Sequence, residues 1–224
     1  MATDATTDAE ADEPTDEAAA PQSPPGKWAL RGIIALVAIA LGFGIGVWVA
    51  LPNHPGDDSA EVGFARDMST HHEQAVEMAM WEYKNGSDSQ LNAIAYDIAT
   101  TQKAQVGIMS AWLSKWDVSQ TGTEKPMAWV PGGSHMLTEN GLMPGMASPD
   151  QMKNLRSLTG HDLDVEFCKL MIAHHIGGIH MIDAVLDADD VDSEVRELAE
   201  QMKKGQQYEI DVLQNKLQEL GATS

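Results

Sequence analysis

A histidine-containing segment occurs twice in this chain, and the repeat constrains the fold more than any other feature. Phe64-Ala65-Arg66-Asp67-Met68-Ser69-Thr70-His71-His72 returns as Phe167-Cys168-Lys169-Leu170-Met171-Ile172-Ala173-His174-His175. The shared pattern Phe-x3-Met-x2-His-His-x5-Met runs on to Met78 and Met181. Phe64 falls on Phe167, an offset of 103 residues, and Ala75 falls on Gly178. A second run repeats at an offset of 104: Leu91, Ile94, Ile98, Gln102, Val106 and Leu113 fall on Val195, Leu198, Met202, Gln206, Ile210 and Leu217. Both runs place apolar residues three and four apart, the period of an amphipathic helix. The duplicated unit is therefore a whole helix-turn-helix. Two such hairpins packed together predict an all-α, antiparallel four-helix bundle.

Helices are expected from about Ser59 to Lys84, onward from the Asn85-Gly86-Ser87-Asp88 stop to about Trp116, from Asp162 to about Asp187, and from Ser193 to Leu220, where Gly221 ends the last one. Between the hairpins, residues 117–149 are rich in Gly and Pro and carry Met127, Met136, Met143 and Met146. A connection of this length is usually functional or disordered. Within it, Met143-Pro144-Gly145-Met146 reads as an exposed turn bearing two thioethers. Ser148-Pro149-Asp150-Gln151 then reads as an N-cap with Pro at the first helical position, opening a short helix to about Leu158.

Upstream of the repeat the composition changes. Residues 1–26 carry seven acidic residues and no Lys or Arg, which predicts a disordered acidic tail. Residues 27–51 are apolar apart from Lys27 and Arg31, and so supply the roughly twenty residues a helix needs to span a bilayer. Trp28 and Trp48 fall at interfacial positions. The basic residues lie on the N-terminal side, which places the tail in the cytoplasm and the remainder outside. A cleaved signal peptide fits less well, because a long acidic segment precedes the apolar run and Trp48-Val49-Ala50 is a poor cleavage site. Residues 52–58 form a linker, and residues 59–222 the extracytoplasmic bundle.

A net charge of −20 argues against nucleic acid, whose phosphates need a basic face. With Cys168 as the single cysteine, the chain has no intrachain disulfide and no thiolate cluster for zinc. The eight His and thirteen Met draw attention because of where they sit. On a helix Met68, His71, Ala75 and Met78 share a face, as do Met171, His174, Gly178 and Met181, with His72 and His175 one residue round. Ala75 and Gly178 are small enough to let the two motif helices approach. Pseudo-twofold packing would then gather His71, His72, His174, His175, Met68 and Met171.

Imidazole with thioether and without thiolate selects copper, as Cu(I) or Cu(II). Calcium and magnesium want oxygen ligands, and a di-iron site needs more carboxylates than Glu61 and Asp164 supply. The candidate metal ligands are therefore His71, His72, His174, His175, Met68, Met171, Met78 and Met181, with Met143 and Met146 from the connection. Core packing is the competing reading of the methionines. Burying two imidazoles in each half, however, has a cost that packing alone does not explain. Cys168 reads as a buried, inert thiol, and no nucleophile with a base and orienting group is evident.

The Met-x2-His-His segments, the Gln102-x2-Gln105-Val106-x2-Met109-x2-Trp112-Leu113 run and the Met143-Pro144-Gly145-Met146 turn resemble the bacterial "domain of unknown function 305" family over about residues 57–220. The resemblance implies a ferritin-like fold, export, copper association in some members, and the motif His and Met as ligands. Two departures from the family pattern stand out. Leu163-Asp164 replaces Phe-Asp, and Gln102-x2-Gln105 replaces a Gln-x2-Glu that Gln206-x2-Glu209 keeps. The expected function is a membrane-anchored extracytoplasmic protein that sequesters or transfers copper. The alternative is a structural or interaction subunit of a membrane complex, with the His/Met cluster as core.

Overall fold

The computed structural model describes residues 54–222, and Ala38 alone upstream of them. The expected tail (1–26) and membrane anchor (27–51) lie outside the described residues. Among the described residues no helix is long and apolar enough to cross a membrane. The described residues form five α-helices and one 3-10 turn, with no strand: α1 (Ala60–Asn85), α2 (Ser89–Lys115), the 3-10 turn Gly133–His135, α3 (Pro149–Ser157), α4 (Gly160–Leu186) and α5 (Ser193–Glu219).

The ends fall where local chemistry puts them. The Ser59 hydroxyl accepts from the Val62 amide at the start of α1. Asp88 accepts from the Gln90 and Leu91 amides at the start of α2. Asp192 accepts from the Glu194 amide at the start of α5. Each satisfies backbone donors that have no partner within the helix. Ser148 and Gln151 close a capping box on α3, with Pro149 at the first helical position.

The helices pack as two hairpins, α1 on α2 and α4 on α5, joined mainly through α1 and α4. Neighbours run antiparallel. Lys115 pairs with Glu194 at one end of the α2–α5 pair, and Lys216 reaches Asp88 and Gln90 at the other. The ends of the α1–α4 seam are tied by the two acids that the repeat brings into register. Asp164, near the start of α4, accepts from Ser87 N at 2.8 Å, Ser87 Oγ at 2.6 Å and Asp88 N at 3.2 Å, and so holds the turn of the opposite hairpin. Glu61, near the start of α1, accepts from Asp192 N at 3.3 Å in the other turn. Neither acid orients a histidine; each fastens one hairpin to the other.

Two apolar clusters fill the bundle. One groups Met78, Leu91, Ile98, Leu163, Phe167, Met171 and Leu213, and the other Phe64, Met68, Met109, Met143, Met181, Val195 and Met202. Residues 117–149 are ordered against the second cluster. Asp67 on α1 accepts from Met127 N at 2.7 Å and Trp129 Nε1 at 2.8 Å, and Met127 is fully buried.

One buried acid works against stability. Glu82, on the last turn of α1, has no solvent exposure. Burial first, and Asp164 beside it second, push its carboxyl up from 4.5 to about 9. An acid whose folded pKa is raised favours the native state only while protonated, so stability should decline as pH rises from about 4.5 toward about 9. In chelator, Glu82→Gln should flatten this decline and be more stable than the natural chain by roughly 1–3 kcal/mol at pH 8. Urea unfolding at pH 5 and pH 8 checks it; equal pH slopes for the two chains would contradict the assignment.

Candidate metal centre

The repeated motif places its four histidines at the α1–α4 seam. His71 and His174 are 1% exposed, and His72 and His175 are fully buried. The rings of His71 and His174 face each other across the seam, with centroids 3.7 Å apart and planes tilted by 34°. The two motif segments thus meet, as pseudo-twofold packing requires. The centroids of His174 and His175 lie 6.3 Å apart.

Each outer histidine is held by its own hairpin. His72 Nε2 lies 2.8 Å from Gln105 Oε1, and His175 Nε2 lies 2.6 Å from Glu209 Oε2. His71 Nε2 lies 2.9 Å from the carbonyl oxygen of Pro144. All three partners are acceptors, so in each ring Nε2 carries the hydrogen, and in the neutral rings of His71 and His72 Nδ1 keeps its lone pair. Those Nδ1 atoms, together with His174 Nε2, are buried and without a hydrogen-bond partner.

Three of the imidazoles are held neutral. Burial lowers His71 to about 4, and the nearby His175 pushes in the same direction against the Pro144 carbonyl. Burial and the neighbouring His71 lower His72 to about 3. His174 falls well below the ordinary value, through burial first and then His71, His175 and His72. A neutral imidazole with a free lone pair, its other nitrogen donating to a carbonyl or carboxylate, is the form that ligates metal.

Among the described residues no three His, Cys, Asp or Glu side chains form a ready-made cage for an ion. An ion held between these imidazoles would therefore draw on thioethers as well. Met68, Met78, Met171 and Met181 are fully buried and Met143 is 2% exposed. They do not form one group. Met68 lies with Met143 and Met181 in one apolar cluster, and Met171 with Met78 in the other. The expected gathering of Met68 with Met171 is not observed: antiparallel α1 and α4 carry residues on the N-terminal side of each His pair to opposite sides of the histidine layer. The observed groupings pair each motif's first Met with the other motif's last. Cys168 is a buried protonated thiol, pushed up to about 12 by burial and then by Glu82 and Asp164, and offers no thiolate.

The turn expected to be exposed is instead a lid on the seam. Met143 is buried and Met146 half-buried against the second cluster. Gln74 grips the turn through Ala147, accepting from its amide at 2.7 Å and donating to its carbonyl at 2.9 Å. Gly145 has φ +76, and a Cβ there would lie 2.4 Å from the Ala173 carbonyl oxygen. A Cβ on Gly177 would lie 2.1 Å from the Pro144 carbonyl oxygen. Gly178, expected to admit the opposite motif helix, makes room instead for Gln206, whose Oε1 would be 2.5 Å from an added Cβ. The glycine that permits close approach is its neighbour.

Gln74, the Pro144 carbonyl and the orienting roles of Gln105 and Glu209 were not assigned from the sequence. The signal was present for the last two, which occupy equivalent positions, 104 residues apart, in the repeated second arms.

These features define a class, an all-helical protein with a buried histidine centre bordered by methionine. The chain belongs to the family described as Domain of unknown function (DUF305), whose model matches residues 61–217. Solved structures agree. A DUF305 protein of Streptomyces coelicolor, assigned as secreted, is 38% identical with a TM-score of 0.68, covering 75% of this chain and 98% of its own. A DUF305 fragment from Deinococcus radiodurans is 29% identical with a TM-score of 0.60, covering 71% and 96%. CopM in its Cu(II)-bound form shares the fold at 19% identity and a TM-score of 0.55, covering 72% and 97%. CopM has also been solved in a Cu(I)-bound form. No curated protein matches the chain by sequence.

Because Gly177 lies against the turn backbone, Gly177→Ala should lift the Pro144 turn and break its bond to His71. The expected cost is about 1–3 kcal/mol of stability, with faster amide exchange at residues 143–147. Hydrogen-exchange mass spectrometry reads both, and unchanged protection would refute the contact.

Proposed function

We propose that this chain is an extracytoplasmic copper-binding protein of ferritin-like, duplicated-hairpin architecture, tethered by residues 27–51 with its N-terminus in the cytoplasm. In this reading it sequesters copper or passes it to a partner at the membrane. The observation that carries the reading is the set of four buried ring nitrogens without partners, three of them in rings whose other nitrogen is held by Pro144, Gln105 or Glu209. Leaving such atoms unsatisfied costs roughly 1–3 kcal/mol each, and a soft, borderline cation recovers that cost. His71, His72, His174 and His175 supply the imidazoles. Met68, Met143 and Met181 on one side, and Met78 and Met171 on the other, supply thioethers, with Met146 at the lid.

The donor set favours copper over zinc or the hard cations. The copper-bound forms of CopM support the metal, and the secreted Streptomyces coelicolor relative supports placement outside the cytoplasm. Glu209 is the one carboxylate bonded to a ring, so the second half-site carries a compensating charge that Gln105 withholds from the first.

The closely packed His71–His174 pair also fills space on its own, as the structural-subunit alternative requires. A copper titration of the full chain against a chromogenic Cu(I) chelator separates the two. Changing His71, His72, His174 and His175 together to Ala should weaken copper binding by roughly 100-fold or more. Undiminished affinity with lowered bundle stability would instead support the structural role.

A further inference from the structure

The turn joining α1 and α2 gathers oxygen atoms that the histidine centre does not use. A Cβ added at Gly86 would lie 2.1 Å from Glu82 Oε1, 2.7 Å from Asn92 Oδ1 and 2.7 Å from Asp164 Oδ1, so three side chains from α1, α2 and α4 converge beside one backbone atom. Glu82 is fully buried, and neither of its carboxylate oxygens has a hydrogen-bond partner. Asn92 Oδ1 is likewise buried without a partner. Asp164 is also fully buried, and the Ser87 and Asp88 amides and the Ser87 hydroxyl hold its carboxylate in place.

Packing does not demand an acid at this position. At the 103-residue offset Glu82 falls on Val185, an apolar residue that is also fully buried. Lys216, the ammonium that reaches the same turn, is committed elsewhere: its Nζ lies 3.1 Å from Asp88 Oδ2 and 3.0 Å from Glu219 Oε2. The turn of the first hairpin, with Asp164 of the second, therefore gathers two inward carboxyl groups and an amide oxygen with no cation assigned to them.

We propose that Glu82, Asp164 and Asn92 form a second metal site, for a hard divalent cation of the calcium class. The donors are all oxygen, which excludes preference for the copper of the histidine centre. Calcium takes carboxylate and amide oxygens in flexible geometry at about 2.3–2.6 Å. In the metal-free chain Glu82 holds a proton beside Asp164; a bound divalent ion displaces that proton, and the two carboxylates then match its charge. The ion would tie the α1–α2 turn to α4, where Asp164 already bridges the two hairpins. The site is a structural brace, independent of whether the histidines bind copper.

The test uses the full chain, stripped of metal by chelator and then titrated with calcium chloride while its thermal unfolding midpoint is followed. A parallel titration uses Tb3+, whose luminescence Trp81, next to Glu82, would sensitise. The natural chain should gain roughly 5 °C in millimolar calcium and saturate with one equivalent of Tb3+. Glu82→Gln, which keeps the shape and removes the charge, should fold in chelator and lose both responses. Asn92→Ala should weaken them without abolishing the fold. Glu61→Gln, at the position equivalent to Asp164 in the other half, should leave them unchanged, which separates the site from general attraction of cations to a chain of charge −20. No calcium shift in the natural chain, or an equal shift in Glu82→Gln, overturns the proposal.

Discussion

Burying four imidazoles in an apolar seam is the constraint on which the rest of this structure depends. Each ring has two nitrogens, and a dry interior penalises any left without a partner. Three of the rings have one nitrogen satisfied, by Gln105, Glu209 and the Pro144 carbonyl, and the other left bare. Those hydrogen bonds explain features that otherwise look unrelated. They account for a polar residue on α2 and another on α5 facing inward, and for a long connection that folds back over the seam. They also account for a glycine at 177 that lets the turn backbone touch α4. Burial then keeps His71, His72 and His174 neutral, so a helical core carries aimed lone pairs.

The arrangement is two-fold in outline and unequal in detail. Gln105 and Glu209 hold equivalent histidines, but only one of them is charged. The lid bonds a histidine of the first half-site, His71, while His174 Nε2 in the second has no partner. An ion between the halves would meet a neutral set of donors on one side and a carboxylate-backed ring on the other. At the bundle ends the repeat serves a mechanical purpose, with Asp164 and Glu61 each fastening the opposite hairpin's turn.

The helices, their caps and the meeting of the two His pairs were legible in the sequence, because they follow from local periodicity and from a repeat at fixed offset. What was not legible depended on tertiary direction. The spacing of Met68 and Met171 from their histidines is identical, yet antiparallel packing sends them to opposite clusters. Gly178 and Gly177 are both small, and only the path of the connection decides which one admits a backbone. Met143-Pro144-Gly145-Met146 has the composition of an exposed turn, and its burial follows from Gln74 and His71, which grip it from more than seventy residues away. Glu61 and Asp164 repeat near the motif, but one helical turn separates them from the Phe of each segment and carries them to the bundle ends, away from the histidines.

The central claim is that the buried rings of the seam are neutral and present lone pairs to a common interior. Long-range proton–nitrogen NMR of the metal-free protein at neutral pH reads this directly, because the two ring nitrogens of each tautomer resonate apart. The account predicts neutral imidazole with the hydrogen on Nε2 for His71 and His72. A charged imidazolium, or the hydrogen on Nδ1 at these two residues, would contradict it.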